Sequence, residues 1–323
     1  MSAPGDGGSD GPVVAPDGGS AEGGASSELR SDGGTTAAAT AAEGPTLERS
    51  ANSFLGDVWT NFKRWNLKAV RNPFVLVVSL VQPIIFLVLF TQVFGNIAGR
   101  ALPGGISYET YLVPAIAIQV SLAAAVTSGI GLVNDIEEGM FEKVLVSPMN
   151  RAAVFLGKTM AELLRIGIQI CIILVLGVAL GANVATGVLG ALGIVAVGVL
   201  FSLWFIAFSN TLAVLTKDQE STIIAANLLQ FPLLFLSSAF LPLEALPGWI
   251  QTVATLNPVT YGVDAARAII LDADVMTVIE VSLGYGGALD TVVPALAVLL
   301  ALDLVLGAVA VYMLSRATSS KVQ

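Results

Sequence analysis

In this 323-residue chain, the segment Phe155-Leu-Gly-Lys-Thr-Met160 holds the residues most suggestive of chemistry. Gly157-Lys158-Thr159 resembles the close of a phosphate-binding loop, G-x-x-x-x-G-K-[ST], which follows a β-strand and opens a helix. The first glycine of that pattern falls at Ala152, no soluble strand precedes it, and an apolar run follows within a few residues. The fragment is therefore no nucleotide site, and Lys158 is expected to anchor the apolar run at the membrane surface by snorkelling. The chain has no His and one Cys, Cys171, inside an apolar run. A His base, a Ser-His pair, an intrachain disulfide and an ordinary Cys/His zinc site are excluded, so no catalytic or metal-binding residue is assigned. Asp303 sits mid-way along ALLALDLVLG, where a charge is costly and faces a partner or water. It either lines a pathway and favours cationic substrates, or is a protonated, hydrogen-bonded structural residue. Asp264 and Arg267 are three residues apart, so one helical face can pair them.

The elements that position these groups are helices in a membrane. The residues are 55% hydrophobic and 12% charged, against roughly 25% charged in soluble domains. That composition predicts an all-α polytopic membrane protein. Six apolar segments near 74–95, 111–133, 163–180, 188–215, 222–241 and 288–314 can each span a bilayer. Pro83, Pro114, Pro232 and Pro294 fall inside them and are expected to kink them. Residues 1–50 carry 11 of the 33 glycines, eight acids and two arginines. They read as a disordered cytoplasmic tail, not a signal peptide. The net charge of −9 fits either a high-salt organism, such as a halophilic archaeon, or an ordinary acidic linker.

With the N-terminus inside, eleven Lys and Arg fall in inner segments and only Arg100 and Arg267 fall outside. That asymmetry predicts a multi-pass protein of the cell membrane with both termini cytoplasmic. Within 51–72, Phe54, Val58, Phe62, Trp65 and Ala69 recur at helical steps, with Lys63, Arg64, Lys68 and Arg71 mostly off the stripe. This predicts an amphipathic helix lying in the inner interface, broken at Asn72-Pro73. Between spans two and three, Glu137, Glu138, Glu142, Lys143 and Arg151 surround apolar Phe141, Val144, Leu145 and Val146, and Pro148 ends the pattern. Such a helix over 135–151 either docks in a partner's groove or lies along the membrane. The outer segment 243–287 opens with Leu246-Pro247-Gly248-Trp249, a short helix expected to dip into the outer leaflet and end at Asn257-Pro258. It serves either as an outer gate or as a structural cap. Gly177-x-x-x-Gly181 can support close packing of helices, a dimer seam included.

The inner loop resembles the first cytoplasmic loop of ABC-2 type permeases, the membrane subunits of ABC exporters. Their pattern runs roughly E-x-E-x-G-T-x-E-x-L-x-x-(S/T)-P, then a basic residue and a Gly-Lys. Glu138, Gly139, Glu142, Leu145, Ser147, Pro148, Arg151, Gly157 and Lys158 match it, with Met140 in place of Thr and the leading acids shifted. A second stretch is similar to the end of span five and the following outer segment in that family: Pro247, Trp249, Asn257, Pro258, Thr260, Tyr261, Val263, Asp264 and Arg267. Residues 54–314 are covered, most like the permeases of daunorubicin-resistance type. The resemblance implies a six-span permease fold over 73–316, in which 135–151 is a coupling helix seated on a separate ATP-binding subunit. Glu138, Gly139, Glu142, Lys143, Leu145, Pro148 and Arg151 would serve that contact. It further implies a second permease subunit, identical or not, and no cofactor on this chain, ATP and Mg²⁺ residing on the partner. Nucleic acid has no part in this reading. The expected function is outward movement of a hydrophobic drug-like or lipid molecule. The rivals are a polysaccharide or lipid-linked glycan exporter and a non-transporting membrane scaffold.

Overall fold

A computed structural model describes residues 53–98, 102, 105–139, 151–278, 284 and 286–319. The tail 1–50 and the inner-loop residues Glu142, Lys143, Leu145 and Pro148 lie outside them. The described elements are helical: α1 (Phe54–Arg71), α2 (Pro73–Ala98), α3 (Tyr108–Glu137), α4 (Arg151–Ala179), α5 (Gly187–Thr216), α6 (Gln219–Phe235), a 3₁₀ turn (Leu243–Ala245), α7 (Gly248–Leu256), α8 (Pro258–Leu271) and α9 (Ala288–Ser319). Five are long and apolar enough to cross a bilayer: α2, α3, α4, α5 and α9.

Local chemistry sets the boundaries. The Ser53 hydroxyl accepts the Gly56 N–H at the start of α1, with Asp57 in the first turn and Lys68 and Arg71 in the last. This order complements the helix dipole. Asn72 leaves the helix, and Pro73 opens α2, where its missing N–H costs nothing. Gly139 adopts a left-handed φ of 65° and its N–H reaches the Ile136 carbonyl, stopping α3. At α6, the Asp218 carboxylate accepts the Ser221 N–H at 2.7 Å, and Ser221 holds that carboxyl below the ordinary carboxylate range.

α3 is the centre of the bundle. It packs against α2, α4, α5, α6 and α8, and 78% of its apolar window is buried, against 11% in α9. The Gln219 amide donates to Glu137 at 3.0 Å, so α6 starts beside the end of α3. The Tyr108 hydroxyl, at the start of α3, donates to the Phe240 carbonyl just beyond α6. α6 therefore returns along α3. The end where α3 stops and α4 starts is called the loop end below; the opposite end, carrying α7 and α8, is the hairpin end.

Three boundaries differ from the sequence reading. The span expected at 222–241 is the 17-residue α6 followed by non-helical residues to Leu241. At 1.5 Å per residue that helix covers about 25 Å, less than the roughly 30 Å of hydrocarbon. Its non-helical continuation is tolerated because it is buried in protein. Ser237, Ser238 and Ala239 are enclosed, and the Ser238 carbonyl receives hydrogen bonds from Tyr111 and Arg267. Next, α4 begins at Arg151 instead of 163, since RAAVFLGKTMAELL is rich in strong helix formers. Finally, residues 135–137 of the expected coupling helix belong to α3 and Arg151 to α4.

α7 and α8 follow each other across Asn257-Pro258 as a helical hairpin; the sequence signals mark α7 and its end at Asn257, and α8 is the helix they leave out. Near its start α8 packs Gly262 against Phe201 and Ile118, within α5 and α3. At its end the Thr186 hydroxyl donates to the Ile269 carbonyl at 2.8 Å, beside the α4–α5 connection. α8 thus climbs from inside the bundle to the hairpin end.

Candidate functional site

At the loop end, α4 carries Lys158, Glu162, Arg165 and Gln169 at steps of four, three and four residues, which places them on one face. Lys158 and Glu162 are buried. The Lys158 ammonium donates to the Ser128 carbonyl at 3.1 Å and lies 3.5 Å from the Glu162 carboxylate. The Ser128 hydroxyl donates to Glu162 at 2.6 Å and lies 3.1 Å from the Asn210 carbonyl oxygen. Arg165 reaches the Ala124 carbonyl at 3.3 Å, and Gln169 donates to Ser79. Lys158 is therefore no surface anchor. Its charge is held inside the bundle and links α3, α4 and α5 through Ser128, Glu162 and Asn210.

The amphipathic helix α1 docks on the same region. A side chain at Gly157 would stand 2.6 Å from the Val58 carbonyl oxygen, so only glycine admits so close a contact. The face turned inward carries Asp57, Val58 and Asn61, a rotation from the expected stripe that leaves Phe54 exposed. The expected break at Asn72 is present. Lys158 and Lys68 lie 5.4 Å and 5.1 Å from the Trp65 ring, and Lys68 stands 4.0 Å from Asp135. Gly157-Lys158 thus serves as a helix-packing and ion-pair position within α4. Gly177 packs against Val113 of the same chain, and Gly181 takes a φ of 110° past the end of α4. Gly177 therefore serves packing within the chain, while Gly181 faces open space.

At the hairpin end, Asp264 and Arg267 are both buried and 3.6 Å apart on one face of α8, as their spacing predicts. Asp264 accepts from the Ser238 hydroxyl at 2.9 Å and from the backbone and side chain of Thr277. Arg267 donates to the carbonyls of Tyr111, Ser238 and Ala239, with its guanidinium 3.7 Å from the centre of the Tyr111 ring. The pair joins α3, the end of α6, α8 and the segment after α8.

Asn257 closes two helices at once. Its amide oxygen accepts the Val259 N–H at the start of α8, and its amide nitrogen donates to the Leu233 and Leu236 carbonyls at the end of α6, at 2.6 and 2.8 Å. Pro258 follows at the first position of α8. Asn257→Ala should cost about 1 kcal/mol for the lost cap, plus about 1–3 kcal/mol for carbonyls left unpaired. Thermal unfolding followed by size-exclusion chromatography checks this, and a change under 0.5 kcal/mol would sink the double-cap account. Pro247 and Trp249 lie at the exposed start of α7, apart from the buried node. On α9, half-buried Asp303 stands beside Trp204 of α5, and neither carboxylate oxygen has a well-formed hydrogen bond among the described residues.

The family model "ABC-2 type transporter" matches residues 56–271, which contain α1, the central bundle and the hairpin. The chain belongs to the ABC-2 type transporter family. Its relatives include the daunorubicin resistance ABC transporter permease protein DrrB1 of Streptomyces coeruleorubidus, 26% identical over 70% of this chain and 78% of the relative. A putative transport permease ycf38 of Cyanophora paradoxa is 30% identical over 66% of this chain and 74% of its own. The probable doxorubicin resistance ABC transporter permease protein DrrC of Mycobacterium tuberculosis is 25% identical over 72% and 83%. The chain is thus a membrane-spanning permease subunit with the all-helical architecture expected of an ABC-2 permease.

Two parts of this ABC-2 permease escape the sequence reading. Glu162 and Gln169 complete the polar face of α4, and the i, i+4, i+7, i+11 spacing from Lys158 is the signal that could have found them. The other is an aromatic cluster at the hairpin end. Phe90 stacks on Phe240 with ring centres 4.6 Å apart, and Phe94, Phe235, Tyr108 and Tyr111 extend the array. Its members come from three separate stretches of the chain, 90–94, 108–111 and 235–240, so spacing does not show that they meet.

Proposed function

We propose that this permease works with a separate ATP-binding subunit to move a hydrophobic, drug-like or lipid molecule out of the cytoplasm. The observation that carries the reading is the family match over residues 56–271 together with the similarity to permeases named for daunorubicin and doxorubicin resistance. In this reading the loop end faces the cytoplasm, in keeping with the eleven-to-two excess of Lys and Arg. The ATP-binding subunit, which carries ATP and Mg²⁺, engages the α3–α4 loop. Glu138 and Gly139 close α3 there and Arg151 opens α4, while Glu142, Lys143, Leu145 and Pro148 lie between. Movement of that loop passes through α4 to Ser128 and Asn210 by way of Lys158 and Glu162. A second permease subunit completes the pathway, and Asp303 borders it.

Affinity purification from native membranes in mild detergent tests the partnership. A P-loop ATPase should co-purify with the wild-type chain and be lost from the double variant Glu142→Arg/Arg151→Glu. If neither sample retains an ATPase although both are folded and abundant, the export reading fails and a scaffold role takes its place.

A further inference from the structure

The aromatic cluster encloses a cavity of about 150 Å³ at the hairpin end. Five of its eight lining residues are aromatic: Phe90 and Phe94 of α2, Tyr108 of α3, Phe235 of α6, and Phe240 beyond it. We propose that this cavity is a binding site for a single aromatic ring of an apolar ligand. Resting on the export reading above, it names a feature of the substrate and places it near the exit.

Size, wall chemistry and polarity point to the same occupant. An apolar cavity of roughly this volume accepts a benzene-sized molecule and stays dry without one. The rings of Phe90 and Phe240 are nearly parallel, at 13°, and those of Phe90 and Phe94 at 20°. Such walls offer both faces and edges to another ring, the arrangement aromatic pairs prefer. The hydroxyl protons of the wall are already donated. The Tyr108 hydroxyl donates to the Phe240 carbonyl at 3.2 Å. The Ser237 hydroxyl donates to Leu234 and accepts from Ala239. A polar substituent pushed into the cavity would lose its water and meet only hydroxyls whose protons are already donated elsewhere. The inserted part is therefore a ring without polar substituents, with any polar portion of the ligand left at the mouth beside exposed Leu241.

The test uses the full-length chain in lipid nanodiscs, with exposed Cys171 replaced by Ser and Leu241 replaced by Cys as a reporter at the mouth. The rate of modification by a trimethylammonium-ethyl methanethiosulfonate is read by mass spectrometry, with bromobenzene, cyclohexane or n-hexane as the added probe. Bromobenzene should slow modification about fivefold once well above its dissociation constant, and saturably. Cyclohexane and n-hexane should slow it less than about twofold. Phe240→Leu should abolish the protection; where that variant does not fold, Phe90→Leu removes the ring stacked beside it instead. No protection by bromobenzene overturns the proposal. So does equal protection by n-hexane, which marks a site for lipid chains, or protection that survives loss of either ring. No ATPase or transport enters the measurement, so failure here leaves the export reading standing. Failure of the partner purification likewise leaves this binding result standing.

Discussion

Arg267→Met should lower the midpoint of thermal unfolding by about 10 °C. The substitution leaves buried Asp264 without its cation, and breaking a buried pair from one side typically costs about 3–5 kcal/mol. In a chain of this size each kcal/mol moves the midpoint by about 2–4 °C. Arg267 also carries the bonds to the Tyr111, Ser238 and Ala239 carbonyls, so its loss loosens the non-helical stretch after α6. Asp264→Asn should cost less than half as much. Its amide oxygen still accepts from Ser238 or Thr277, and Arg267 keeps its carbonyls and the Tyr111 ring. Fluorescence-detected size-exclusion after heating, in one detergent and at one salt concentration, measures both. Equal losses would show that the carbonyl and ring contacts of Arg267 contribute little.

The second large effect is at the loop end. Lys158→Met removes the cation from a buried Glu162 and should destabilise by about 3–5 kcal/mol. Lys158→Met combined with Glu162→Met removes both charges and fills much of the same volume, and such replacements are often neutral. The double variant should therefore recover most of the loss, with an interaction energy of about 3 kcal/mol or more in the double-mutant cycle. Additive losses would mean that the two residues act separately, and the linked network through Ser128 would be wrong. A recovered fold also separates stability from work. If the network transmits motion, the double variant should be stable yet hydrolyse ATP with the partner without moving substrate.

Much of this architecture was legible before any coordinates. Apolar length marked every crossing helix, Asn72-Pro73 marked the break after α1, and Asn257-Pro258 the end of α7. The spacing of Asp264 and Arg267 gave their ion pair. What escaped depends on long-range contacts. Hydropathy carries Ser-Ser-Ala-Phe-Leu into the fifth predicted span, because those residues are apolar enough. Their backbone leaves the helix since Tyr108, Tyr111 and Arg267, from other parts of the chain, satisfy it. Counting Lys and Arg treats a cation near a span's end as a surface group. Lys158 differs because Ser128 and Glu162 are positioned to receive it, and Ser128 lies 30 residues away.

The central place of α3 has a consequence for the order of synthesis. α3 is the second crossing helix to leave the ribosome, yet α4, α5, α6 and α8, which cover it, are made later. Gln119, Ser121, Ser128 and Asp135, all buried in the finished bundle, have no such cover when α3 first meets lipid. Leaving polar groups in hydrocarbon is expensive, so α3 must stay at the insertion channel, or against α2, until α4 and α5 arrive. Nascent chains stalled after α3 should therefore cross-link to the insertion machinery, and chains stalled after α5 should be released from it.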